Sequence, residues 1–196
     1  GNIHVITSDD GLNAAGGVDS SSTNGRPGQN GFEAATDAYI YINGGYLYVN
    51  SGGDGIDSNG SIAMTAGTAI VSGPTNNGNG SLDYNGTFNM TGGYLLAVGS
   101  SGMAQAPSET STIYSVMYGF ESMQAAGTMV HIETESGEEI LTFMPSKEYQ
   151  SVVLASPSLT NGETYVVYSG GTSTGAVVDG LYSSGTYSAG TQVASF

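Results

Sequence analysis

Apolar and polar positions alternate over short runs, and the runs recur. Ile40 and Ile42 lead through a glycine pair to Leu47 and Val49. Ile62 and Met64 lead to Ala69 and Val71, and Phe88 and Met90 lead to Leu95 and Ala97. Side chains alternate across a strand, so each unit predicts two short strands with one apolar face. Gly45, Gly67 and Gly93, 22 and 26 residues apart, mark the bend between them, where a positive φ or a close backbone approach excludes Cβ. Ala126-Gly127-Thr128-Met129-Val130 reads as a weaker fourth copy. A third run falls between these pairs: Asp10-Gly11-Leu12-Asn13, Asn30-Gly31-Phe32-Glu33, Asp54-Gly55-Ile56-Asp57 and Gly80-Ser81-Leu82-Asp83. Three short strands every 20–26 residues predict the coils of a right-handed parallel β-helix, with three apolar ladders meeting in one core. The leucine-rich-repeat frame is missing, and no sustained 3.6-residue period predicts helix.

The pattern changes after residue 105. Strands are predicted over 128–133, 138–143, 150–155, 163–168 and 175–178, with turn signals at Glu135-Ser136-Gly137-Glu138 and Thr160-Asn161-Gly162-Glu163. The expectation is one all-β domain over 1–196. Residues 1–105 form Gly/Asp-rich coils, and 106–196 form a last coil and antiparallel strands packing on the helix or capping it. The tail would close an open end or cover the outward apolar trio Tyr48, Ile70 and Leu96.

Charge narrows the partners. The net charge is -15, and Arg26 and Lys147 are the only basic residues apart from two histidines. That excludes counterion-releasing contact with nucleic acid and attraction to an anionic membrane surface. No apolar run approaches a membrane span, no leader is read at the start, and Gly1 reads as a processed end. Thirteen tyrosines and 38% hydrophobic residues argue for a packed core despite 32 glycines. An uncharged Asn, Gly, Ser and Thr surface without cysteine fits a bacterial extracellular or cell-surface protein. Glu133, Glu135, Glu138 and Glu139 read as a solvated face, and both histidines are placed in edge strands.

Coil stacking would bring Asn13, Glu33, Asp57 and Asp83 above one another, with Asp10, Asn30 and Asp54 in a neighbouring file and Asp9 beside it. Like charges ~5 Å apart repel by about 3 kcal/mol per pair at an effective dielectric of ~20. Oxygen-only ligands point to a hard cation, and irregular coordination favours Ca2+ over Mg2+. With His4 and His131 as the only imidazoles and no cysteine, zinc and copper are poorly supported. The same residues also fit a metal-free ladder of Asx turns, and neither the EF-hand nor the RTX frame is present.

Tyr39 and Tyr41 alternate with inward Ile40 and Ile42 and are expected outside, together with Tyr46, Tyr48, Tyr84 and Tyr94; Tyr39, Tyr41, Tyr46 and Tyr84 are the candidate sugar contacts. Flat aromatics on a rigid sheet can stack on sugar rings, and tyrosine also simply suits outer strand positions. Catalysis has thin support. A lyase would need Arg26 or Lys147 as base, and a hydrolase would use Asp9 with Asp10, or Asp54 with Asp57.

Five segments carry a family resemblance: Ser8-Asp9-Asp10-Gly11-Leu12-Asn13-Ala14, Gly52-Gly53-Asp54-Gly55-Ile56-Asp57-Ser58-Asn59-Gly60, the stretch from Gly73 to Tyr84, Gly99-Ser100-Ser101-Gly102-Met103-Ala104-Gln105, and Pro145-Ser146-Lys147-Glu148-Tyr149 with the strand that follows. The chain resembles the calcium-binding, carbohydrate-binding β-helix family of clostridial polysaccharide degraders. That family is pectate-lyase-like in fold and not catalytic. The resemblance implies plant cell-wall polysaccharide, cellulose or acidic pectic sugars, as partner. It also implies calcium on Asp10, Asn13, Glu33, Asp54, Asp57 and Asp83. Ala104 departs from the carboxylate pattern, so the metal row should end after Asp83. Bridging calcium would let an acidic chain accept an acidic sugar. A weak pectate lyase or polygalacturonase, and a structural adhesin or spacer, are the alternatives.

Overall fold

The computed structural model describes residues 1–15 and 37–196. Asn30, Phe32, Glu33 and Arg26 lie outside the described residues. The fold is all-β, with no helix among the described residues.

The N-terminal half is built from two parallel ladders. In the first, β1 (Asn2–Thr7), β3 (Tyr39–Ser51), β5 (Ser61–Ser72) and β8 (Tyr94–Gly99) lie side by side, and β7 (Phe88–Met90) pairs with the first half of β5. In the second, β2 (Leu12–Ala14), β4 (Ile56–Ser58) and β6 (Leu82–Tyr84) stack in order. In register, Ile40 faces Ile62 and Ile62 faces Phe88, Leu47 faces Ala69 and Ala69 faces Leu95, and Leu12 faces Ile56 and Ile56 faces Leu82. These files converge in one core, where Val49, Ile56, Met64, Phe88, Met90 and Leu95 are fully buried.

The bends are made by the glycines at 45, 67 and 93, whose φ values are +82°, +93° and +92°. At Gly67 a Cβ would lie 2.7 Å from both the Gly44 carbonyl carbon and the Gly45 oxygen of the neighbouring strand β3. Positive φ and close stacking thus demand glycine together. Gly67→Ala is expected to cost at least ~2 kcal/mol in urea unfolding, and an unchanged midpoint would refute this account of the bend.

The tail comprises β9 (Ser115–Gln124), β10 (Val130–Thr134), β11 (Glu139–Phe143), β12 (Tyr149–Ala155), β13 (Tyr165–Ser169), β14 (Thr172–Ser173), β15 (Ala176–Val178), β16 (Leu181–Ser183), β17 (Tyr187–Ser188) and β18 (Thr191–Ser195). It extends the first sheet. β12 joins β8 antiparallel and β9 joins β12 antiparallel, so that sheet is mixed. Val153 and Ala155 of β12 face the first core, while Tyr149, Val152 and Leu154 face a second. The second core buries Tyr48, Ile70 and Leu96 against Val130, Ile132, Phe143 and Val167. A separate antiparallel sheet, in the order β15-β16-β11-β10-β13-β18, supplies that cover.

Two expectations need correction. The fourth copy, at 126–130, is not a parallel coil: Thr128 closes a turn onto Ala125, and Val130 pairs antiparallel with Phe143 and Ser169. His131 is not in an edge strand, because β10 sits between β11 and β13, although His4 does lie on the edge strand β1.

Candidate functional site

The second parallel ladder positions the acidic residues. Ile56 and Leu82 point into the core, which turns Asp57 and Asp83 away from it, and Asn13, Asp57 and Asp83 stand in register. Asp10 and Asp54 repeat one turn device. Asp10 Oδ1 accepts the Asp54 N–H at 2.8 Å, and Asp54 Oδ1 accepts the Gly80 N–H at 2.6 Å. The device stops there because position 80 has no side chain.

Asp10, Asp54 and Asp57 each bring a carboxylate oxygen to within 4.8 Å of the others. Asp57 is 8% exposed. Burial, then the charges of Asp54, Asp83 and Asp10, push its carboxyl up to about 7. Burial raises Asp54 to about 6 against the Gly80 N–H, with Asp83, Asp10 and Asp9 adding repulsion. Asp83 is raised as well, by burial and by Asp10. Among the described residues, no lysine, arginine or histidine pairs with these carboxylates. The Asn13 side-chain amide answers part of the charge by donating to Asp57 Oδ2 at 2.8 Å and to Asp10 Oδ2 at 3.1 Å.

The donor set fits a hard cation: clustered carboxylate oxygens, partly buried, with no competing ammonium. A half-turn of the Asn13 amide would present its oxygen to the same space. Asp9 stays exposed beside the group, and its N–H is held by Thr7 Oγ1 at 3.2 Å. The three-strand ladder ends at Asp83's strand, and beyond it Gln105 Oε1 accepts the Tyr84 N–H at 3.0 Å.

The four expected sugar-facing tyrosines divide. Tyr39 and Tyr41 are 48% and 64% exposed, with ring centroids 5.5 Å apart and planes 11° from parallel. Tyr46 and Tyr84 are not on an open face. The Tyr46 hydroxyl donates to Asp179 at 2.7 Å beneath the β15–β16 turn. The Tyr84 hydroxyl donates to the Ala106 carbonyl at 2.6 Å, and its ring meets Phe88 edge-on. Both rings serve packing.

Lys147, a candidate base, is held elsewhere. Its half-buried ammonium donates to the Ser51 and Ser72 carbonyls at 2.6 and 2.9 Å, and burial lowers it to about 8. A polar cluster that the sequence reading missed lies in the second sheet. Buried His131 contacts Thr142 Oγ1 at 2.7 Å and Glu133 at 3.2 Å, Thr142 donates to Glu139 at 2.8 Å, and Tyr187 stacks on the imidazole at 3.8 Å. Glu135, Glu138 and Glu139 are exposed as expected and Glu133 is partly buried; Glu133 and Glu139 are bonded within this cluster. Its signal was the i, i+2 spacing of His131 and Glu133, which puts both on one strand face.

No family model, no curated protein and no solved structure matches the chain.

Proposed function

We propose that the chain is a secreted or surface-bound bacterial protein that binds plant cell-wall polysaccharide without catalysis. In this reading its parallel ladders are coils of a right-handed β-helix, stabilised by calcium at Asp10, Asp54 and Asp57 with Asn13 and Asp83 beside them. One observation carries the reading: in-register stacking of β2, β4 and β6 gathers carboxylates onto one face, while a separate face carries the exposed tyrosine pair of β3. Bound calcium would supply positive charge to a group of carboxylates that burial and mutual repulsion disfavour.

A hydrolase reading has one supporting feature, two neighbouring carboxyl groups raised to about 6 and about 7. Against it, Asp57 is buried and hydrogen-bonded to Asn13. The test is co-sedimentation of the purified chain with insoluble cellulose, xylan and calcium pectate, with product analysis of the same samples. Retention on at least one glycan with no new reducing ends or unsaturated uronates is expected. Released products would establish an enzyme instead, and no retention on any glycan would favour the spacer role.

A further inference from the structure

The outward face of β3, β5 and β7 carries no acidic or basic side chain along its strand positions. Tyr39, Tyr41 and Asn43 lie on β3; Ser61, Ala63 and Thr65 follow on β5; Asn89 lies on β7, with Thr87 before it. Tyr39 faces Ser61, Tyr41 faces Ala63, and Ala63 faces Asn89. The tyrosines therefore form a raised ridge beside a floor of small side chains. Strand spacing makes that floor roughly 10 Å across two repeats.

The floor is already ordered. Thr65 Oγ1 donates to Asn43 Oδ1 at 2.9 Å, and the Thr87 N–H donates to Ser61 Oγ at 3.1 Å. Asn89 Nδ2 donates to Thr87 Oγ1 at 3.2 Å, and Thr110 donates to Asn89 Oδ1. Pre-ordered amide and hydroxyl groups beside an aromatic face match the mixed apolar and hydroxyl surfaces of a pyranose. An uncharged strip in a chain of net charge -15 gives a uronate carboxylate no cation to meet. The acidic group lies on the other ladder, β2-β4-β6, across the Asn59–Gly60 turn, so the ridge does not depend on its charge state.

We propose that the Tyr39–Tyr41 ridge and its Ser/Thr/Asn floor bind an uncharged polysaccharide, and that this binding does not require calcium. The proposal rests on the polysaccharide-binding reading and decides between its two sugar classes. It is tested by affinity electrophoresis of the full chain through hydroxyethylcellulose, soluble xylan and polygalacturonate, each with calcium and with chelator, below the melting temperature. Tyr39→Ala and Tyr41→Ala are compared with the parent chain. Both side chains are exposed, so their melting temperatures should stay within a few degrees of the parent's, and that measurement is made alongside.

Retardation by a neutral glycan in both conditions, weakened about tenfold or more by Tyr41→Ala, is expected. Neutral-glycan binding unaffected by both substitutions would overturn the ridge as the site. Retardation only by polygalacturonate and only with calcium would overturn the neutral-sugar assignment while leaving polysaccharide binding in place. No retardation by any glycan would overturn both.

Discussion

Calcium added to chelated protein at pH 7.5 should raise the melting temperature by roughly 5–10 °C and reverse the pH dependence of stability. Asp54 and Asp57 are raised from 3.8 to about 6 and about 7, so each holds its proton more tightly folded than unfolded. Between about pH 4 and pH 7 the folded chain then binds more protons than the unfolded one, and without metal its stability falls as pH rises through that window. The stabilising contribution is complete at low pH and is gone above about 7. A bound cation needs the deprotonated groups, so its contribution grows over the same window. At a hundredfold excess over Kd, binding adds about 2.7 kcal/mol, and each kcal/mol shifts a chain of this size by about 2–4 °C.

Asp57→Asn separates this account from simple damage to the fold. The substitution removes the most strongly perturbed charge while leaving an oxygen to accept from Asn13. Chelated Asp57→Asn should therefore melt higher than the chelated parent at pH 7.5, and calcium should stabilise it less. Equal melting temperatures with calcium and chelator in the parent would reduce the group to a turn ladder. A lower melting temperature for chelated Asp57→Asn would refute the repulsion argument.

The parallel half was legible because its determinants are local and recur. Ile40, Ile62 and Phe88 occupy equivalent places, and bend glycines recur between the strand pairs, so one register dictates the rest. The acidic group was legible for the same reason, since Asn13 and Asp57 inherit the register of Leu12 and Ile56. The role of Asn13 was not. Whether an amide faces a carboxylate with oxygen or nitrogen depends on local charge, and here it donates to two carboxylates. Tyr46 and Tyr84 were misplaced because alternation gives only the side of a strand, and what later covers that side comes from far along the chain. Asp179 reaches Tyr46 from 133 residues away. β9 was missed although Val116, Tyr118 and Phe120 alternate there, because β10 and β11 intervene before its partner β12 and no hairpin turn signal joins the pair.

Ile70→Ala is expected to cost about 3–4 kcal/mol, as much as a substitution in the inner core, although Ile70 faces outward from the parallel sheet. Its strand neighbours Ala69 and Val71 fill the inner core, while Ile70 pairs laterally with Tyr48 and Leu96 and is 0% exposed. The parallel strands alone would leave that trio in water, where shortening Ile70 would cost little. Burial under Val130, Ile132, Phe143 and Val167 makes the same change a cavity between two sheets. Thr65→Ala is the internal comparison: Thr65 also lies on β5 but beyond the Gly67 bend, exposed, and should change stability by less than ~1 kcal/mol. The Ile70 variant should also become more sensitive to protease within 126–196 before global unfolding, because its cavity weakens the seam that joins the tail to the stack. A cost for Ile70→Ala as small as that for Thr65→Ala would mean that the two halves stand independently.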